Sequence, residues 1–364
     1  MSTKRQPVDK VFLALVLVEL FFGMVMLTSA SGPLSYDHYH SSWIYIRHQL
    51  IAGAVPGLIG MWILSRLDFR RWERWSPFIM LIGLFLMVLV FVPGLAVGYG
   101  TAHSWIAIGS FFSFQPVEFL KLAMIIYLAA LAAAPNRAPG QIFLPAGLMF
   151  VVVAVLLALQ PDFGSLLILA AIFLIVVYAA GVPFSYLLGT AMAGGGLLYA
   201  FAKTASYRAA RLTVFLHPEL DPQGIGYQIN QAFLAIGSGG LWGLGLGHSQ
   251  QKYSYLPQVM NDSVYPIIAE ELGFFFALGL VVLIAAIFFR GLKIAREARD
   301  PFGRVAVIGV VSWLTVQSFL NIGAMIGLVP LTGVPLPFVS YGGTAMVMNL
   351  CAVGLVLSVS RGNG

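Results

Sequence analysis

Apolar stretches of about 20 residues recur along this chain from end to end, each long enough to cross a hydrocarbon core of about 30 Å. Lipid offers no water to bond backbone N–H and C=O groups, so stretches like these fold as helices that satisfy themselves. About ten spans can be placed, near residues 11–29, 46–65, 76–96, 115–134, 141–159, 163–181, 184–202, 264–290, 304–328 and 338–360, to within a few residues at each end. Charged residues make up only 9% of the 364, where a soluble domain carries about 25%, and this excludes an ordinary soluble fold. The mean hydropathy of +0.90 points the same way. The expected fold class is therefore all-α, a polytopic membrane helix bundle. It forms a single domain over residues 1–364, with one large outward loop, 203–262, between the seventh and eighth spans.

The first run, Val11 to Thr28, follows Lys4, Arg5 and Lys10 and precedes Ser29-Ala-Ser-Gly32, which imitates a secretory signal with its cleavage site. A secretory apolar core is about 7–15 residues, so this longer run reads as an uncleaved first helix. In a membrane chain the net charge of +6 is a statement about topology, not nucleic acid. An inside N terminus, with an even number of spans, leaves both termini cytoplasmic. Most of the 20 Lys and Arg residues then fall inside, and the departures are Arg47, Lys121, Lys203, Arg208, Arg211 and Lys252. Cys351 is the only cysteine and lies in the last apolar run, which rules out an internal disulfide.

Four of those departures belong to the long outward loop, and loops of that length are usually functional. In its middle, Tyr227 to Ile236 puts Ile229, Phe233 and Ile236 on one helical face, which predicts a short helix lying at the membrane interface. The loop ends at Asn261-Asp262-Ser263, where the eighth span begins. An acidic side chain at that junction can face water while the helix anchors it beside a membrane-embedded substrate. The alternative is that these three residues merely cap the helix.

Arg208 and Arg211 stand three apart, so on a continuing helix they share a face and can grip a phosphate or pyrophosphate together. Snorkelling at anionic headgroups would also account for them. Glu118 and Lys121 repeat the spacing within the fourth span, after Gln115 and Pro116 at its start, and read either as a buried ion pair or as substrate contacts. Asp162, in Gln160-Pro-Asp-Phe-Gly164, either caps the sixth helix or offers a second outward carboxylate to a divalent cation. Glu270 and Glu271 lie about 12 Å below Asp262 at 1.5 Å per helical residue, a depth that suits structural or relay groups. Gly243-Leu-Gly-Leu-Gly247 lacks the preceding strand of a nucleotide loop, and His38 with His40 lacks further metal ligands nearby.

Several ordered motifs resemble one family. They are Thr28-Ser-Ala-Ser31, Trp105-Ile-Ala-Ile-Gly109, Gln115-Pro-Val-Glu118 with Lys121, Gln160-Pro-Asp162, Gly226-Tyr-Gln228, Asp262 with Glu270-Glu-Leu-Gly273, and Leu331-Thr-Gly-Val-Pro-Leu-Pro-Phe-Val-Ser-Tyr-Gly-Gly343. Nearly end to end, the chain resembles the SEDS proteins (shape, elongation, division and sporulation), membrane glycosyltransferases that polymerise peptidoglycan from lipid II. Gly245-Leu-Gly-His-Ser-Gln-Gln-Lys252 with Tyr255-Leu-Pro257 is more similar to the division branch than to the elongation branch. Two departures stand out: Thr101-Ala-His-Ser104 where the family carries arginine before the tryptophan, and Ser263-Val-Tyr265 where it carries Phe-Ile-Phe after its catalytic aspartate.

The resemblance implies an undecaprenyl-linked glycan as donor, lipid II as acceptor and undecaprenyl pyrophosphate as leaving group. Asp262 would then be the general base. Arg208, Arg211, Lys252, or a divalent cation such as Mg or Mn, would meet the charge of the leaving group. Lys121, Glu118, Gln115 and Asp162 complete the candidate substrate-binding residues, with no organic cofactor. The resemblance further implies a bacterial inner (plasma) membrane location with the active site on the outer face. Its expected partners are a class B penicillin-binding protein and other division or elongation proteins, with no nucleic acid. Two other readings remain open: a lipid II flippase, and a non-catalytic scaffold for a transpeptidase.

Overall fold

The computed structural model describes residues 7–99, 102–108, 112–134, 138–203, 214–215, 220–221 and 224–362. Each of the ten predicted spans is a helix. In chain order they are α1 (Lys10–Tyr39), α2 (Ile44–Arg66), α3 (Arg70–Leu89), α4 (Pro116–Ala133), α5 (Pro139–Leu159), α6 (Phe163–Ala179) and α7 (Phe184–Lys203). After α8 (Ile225–Gly239), a helix within the long loop, come α9 (Val264–Glu297), α10 (Pro301–Met325) and α11 (Gly343–Arg361). Eight of the ten are long and apolar enough to cross a bilayer, while α6 is a shorter apolar helix of 17 residues. The chain is a multi-pass membrane protein.

The helices begin where their sequences supply caps. Asp9 accepts the Phe12 N–H at 2.8 Å to start α1, and Asp300 accepts the Gly303 N–H at 3.2 Å to start α10, whose first residue is Pro301. Helix α1 runs unbroken through the Ser29-Ala-Ser-Gly32 stretch that imitates a cleavage site, and so exceeds its expected end by ten residues. Asp9 also pairs with Arg290, at 2.6 and 3.0 Å, tying the start of α1 to the end of α9. Burial alone would raise the Asp9 carboxyl, but the hydrogen bonds from Arg290 and the Phe12 N–H outweigh it and hold it below its ordinary value.

Helices α10 and α11 are 72% and 78% buried over their apolar windows, against 22% for α3 and α5, so the former form the centre and the latter the lipid-facing rim. Small residues let α2 and α11 touch closely: a methyl added at Gly57 would come 2.6 Å from Leu350, and one at Gly60 2.7 Å from Cys351.

Two features depart from expectation. Residues 96–114 hold a three-stranded antiparallel sheet, β1 (Ala96–Tyr99), β2 (Ala102–Ile108) and β3 (Phe112–Phe114), with Val97 opposite Trp105 and Ile106 opposite Phe114. The loop helix α8 is also longer than the predicted Tyr227–Ile236, and one of its faces is packed against the bundle. Ile229 and Ala232 are buried with Ile267 and Ile268 of α9, while Phe233, assigned to the same face, is 43% exposed. Gly239 permits this packing, since any side chain there would collide with the Ala269 carbonyl.

Candidate active site

Helix α9 starts at Val264, with Ser263 as its N-cap residue and no side-chain capping bond. Asn261 bonds Gln258 instead. Ser263 and Asn261 therefore do not supply the cap that the capping alternative requires.

Asp262 is only 8% exposed. From α8, Gln228 Nε2 donates to Ser263 Oγ at 3.0 Å and approaches Asp262 Oδ1 at 3.5 Å. From α10, Asn321 Nδ2 donates both to the Asp262 carbonyl and to the Val334 carbonyl, each at 2.8 Å. This fixes the Asp262 backbone to the 331–340 loop. Gly333 in that loop has φ of +68°, and a methyl added to it would stand 4.0 Å from Asp262 Oδ2. The Tyr341 N–H reaches back to the Met260 carbonyl at 2.7 Å. A single carboxylate thus sits in a frame made by three separate segments.

Below that frame, Trp313, Gln317 and Asn321 follow one another at intervals of four and share a face of α10. Gln317 Oε1 accepts from Lys121 Nζ at 2.8 Å and from Trp313 Nε1 at 2.9 Å, and Gln317 Nε2 donates to the Pro335 carbonyl at 2.9 Å. Lys121 and Glu118 pair at 2.8 Å, with side chains 1% and 2% exposed. The ion-pair reading fits this geometry, and the pair supports the loop over Asp262 from beneath.

Lys252 is placed differently from its expected role at a leaving pyrophosphate. Its side chain is 4% exposed, and its ammonium lies 2.7 Å from Glu271 Oε1 and 3.1 Å from Ser29 Oγ. The carboxylates of Glu270 and Glu271 fold the preceding loop onto α9: Glu270 accepts the Ser249 hydroxyl at 2.5 Å and the Gln250 N–H at 3.0 Å. The glycines of Gly243-Leu-Gly-Leu-Gly247 belong to this fold, because Gly243 has φ of +79° and lies against the Glu271 carbonyl where no side chain fits. Gly245 and Gly247 share its left-handed backbone, with φ of +103° and +85°, so these glycines serve the turn.

Asp162 caps α6, accepting the Ser165 N–H at 3.0 Å and its hydroxyl at 2.7 Å. That turn touches the 331–340 loop at Gly164, where a methyl would come 2.6 Å from Val334. Gln115 is the N-cap residue of α4, and its N–H donates to Thr344 Oγ1 at 3.4 Å. His38 bonds the Tyr45 hydroxyl at 3.2 Å. Arg208 and Arg211 lie outside the described residues, among which no three His, Cys, Asp or Glu side chains gather as a metal site.

The structure thus brings Asp262 together with Gln228, Gly333 and Asn321, none of them among the candidate site residues of the sequence, and Asn321 outside every motif quoted above. Its sign in the sequence is an amide within an apolar span, where polar side chains are expensive and usually have a task.

The family model FTSW_RODA_SPOVE, described as cell cycle protein, matches residues 9–363. Stage V sporulation protein E of Bacillus subtilis is 35% identical over 365 residues, covering 99% of each chain. A probable peptidoglycan glycosyltransferase FtsW of Trichlorobacter lovleyi is 36% identical over 360 residues, covering 97% of this chain and 93% of its own. Among solved structures, one concerned with the coordination of polymerization and crosslinking by a peptidoglycan synthase complex superposes with a TM-score of 0.81 at 28% identity, over 98% of both chains. The rod shape determining protein RodA of Thermus thermophilus does so at 0.72 and 27% identity, over 97% of both. With nearly the whole length matched, the chain belongs to the FtsW, RodA and SpoVE family, the SEDS proteins.

Proposed function

We propose that this chain is a peptidoglycan glycosyltransferase that extends a lipid-linked glycan with lipid II, and that Asp262 is its general base. The observation that carries the reading is Asp262 itself: a nearly buried carboxylate at the lipid boundary, fixed through its backbone by Asn321 and facing the 331–340 loop at Gly333. A sugar hydroxyl is a weak nucleophile until a positioned base takes its proton. Asp262 takes that proton as the hydroxyl oxygen bonds the donor's anomeric carbon, whose bond to pyrophosphate breaks. The leaving group carries the electron pair away as undecaprenyl pyrophosphate. With Lys252 committed to Glu271, Arg208 and Arg211 are the cations assigned to that charge. A divalent cation, Mg or Mn, would supply further positive charge to the same stabilisation, with Asp162 as the outward carboxylate that would help to hold it. The ten-helix bundle suits substrates whose prenyl tails stay in the bilayer throughout.

The test is direct. Purified protein given lipid II should yield a ladder of glycan on gels, stronger with Mg or Mn and with a class B penicillin-binding protein as partner. The likeness to a chain of a peptidoglycan synthase complex supports that partnership. A flippase or a scaffold makes no polymer, so a sound preparation that produces none overturns the proposal.

The reading also requires Asp262 to face the outside of the cell, with both termini in the cytoplasm of a bacterial inner membrane. In a Cys351→Ser background, Gln250→Cys should react with an impermeant thiol reagent in intact cells while Arg299→Cys stays protected, both positions being exposed. Reversed labelling would place Asp262 on the wrong side.

A further inference from the structure

Glu19 lies a third of the way along α1 with 2% of its surface exposed, and its Oε1 has no hydrogen-bond partner among the described residues. The small cavity beside it, about 10 Å³, is lined by Ile284 of α9, by Leu314, Thr315 and Ser318 of α10, and by Pro337 and Phe338. That is room for about one water, and the lining includes Thr315 and Ser318, whose hydroxyl donates to the Leu314 carbonyl at 2.8 Å and keeps its capacity to accept. No lining residue carries positive charge. An acid placed at this depth without a counter-charge costs too much to keep as structural filling, which marks it as functional. Burial of this kind also favours the neutral acid over the carboxylate.

The neighbours of Glu19 say which part of the molecule it serves. Gly23, one turn further on the same face of α1, is pressed so close to the 331–340 loop that a methyl there would collide with the Phe338 carbonyl and come 2.7 Å from Val339 Cα. Phe338 is 2% exposed and has φ of +60°, a left-handed conformation that a bulky residue rarely adopts unless its surroundings impose it. Five residues earlier in the same loop, Gly333 faces the Asp262 carboxylate, and Asn321 ties Val334 to the Asp262 backbone. Glu19 therefore sits under one end of the loop whose other end covers Asp262.

We propose that Glu19 is a positioning residue: as the neutral acid, with one water trapped beside it, it holds the strained Phe338 turn against α1 and thereby sets the loop over Asp262. The inference rests on the reading of Asp262 as the base, but its first two tests do not need that reading. Infrared difference spectra should show a protonated carboxylic acid band in the wild-type protein that vanishes in Glu19→Gln. A thiol at Thr332→Cys, in the Cys351→Ser background, should label several-fold faster in Glu19→Ala than in wild type, and at the wild-type rate in Glu19→Gln, whose amide can still bond but cannot ionise. Polymerisation should follow the same order. Glu19→Ala should lose kcat with KM nearly unchanged, on the order of 100-fold if the loop shifts by about 1 Å, and Glu19→Gln should stay within a few-fold of wild type.

Gly23→Ala perturbs the same contact from the other side and should reproduce the labelling and the kcat loss while keeping the acid band. It carries the test with Glu19→Gln if Glu19→Ala fails to fold. Absence of the acid band, loss of activity in Glu19→Gln, or unchanged Thr332 labelling in both Glu19→Ala and Gly23→Ala would each overturn the proposal. A protein that makes no glycan but shows the band and the labelling changes would refute the polymerase reading and leave the loop role of Glu19 standing.

Discussion

Asp262→Asn is expected to lower polymerisation of lipid II by about 10² to 10⁴, the usual contribution of a general base, without lowering thermal stability. The amide has the size of the carboxylate and nearly the same preference for helix starts, so a structural role at the head of α9 would survive the change. The backbone there does not depend on the carboxylate, because Asn321 donates to the Asp262 carbonyl at 2.8 Å. What the amide cannot do is accept the acceptor's proton. Asp162→Asn is the control. Asp162 receives the Ser165 N–H and hydroxyl, as Asn would at least in part, so its activity should fall far less. A comparable fall at both positions would point to a shared cation. Glycan product measured from variants of matched stability decides the matter, and an Asp262→Asn enzyme within a few-fold of wild type removes Asp262 as the base.

The spans were legible because the bilayer leaves a long apolar run so few alternatives. Asp262 was legible because a carboxylate at a span boundary breaks an otherwise apolar pattern. The same rule, applied within the spans, finds Asn321 and Glu19, each a polar side chain in an apolar run. Lys252 shows what a pattern cannot supply. In the sequence it is a cation in an outward loop, and only the folding of residues 241–252 against α9, whose backbone is non-helical at Gly273 with φ of +79°, brings Glu271 to within 2.7 Å of it. The sheet in residues 96–114 was hidden for a related reason. Its strands are short, and an edge held by Thr344 donating to the Ser113 carbonyl at 3.2 Å depends on a contact with α11, more than 200 positions away.

Lys121→Met should be among the most destabilising single changes in the bundle. It leaves Glu118 2% exposed and stripped of the counter-charge 2.8 Å away, when among the described residues Glu118 Oε2 already lacks a partner. Breaking one side of a buried pair typically costs about 3–5 kcal/mol, whereas replacing both sides with apolar residues of similar volume is often neutral or stabilising. Glu118→Leu with Lys121→Met should therefore recover most of the stability lost in Lys121→Met alone, as read by thermal denaturation in detergent. Activity separates the remaining roles. Lys121 also holds Gln317, which bonds the Pro335 carbonyl, so the double variant should recover stability and still polymerise slowly, through kcat, with the loop over Asp262 less firmly held. Recovery of both stability and rate would reduce the pair to a device for helix register. A loss confined to KM would instead return Lys121 and Glu118 to the substrate-contacting role that their burial argues against.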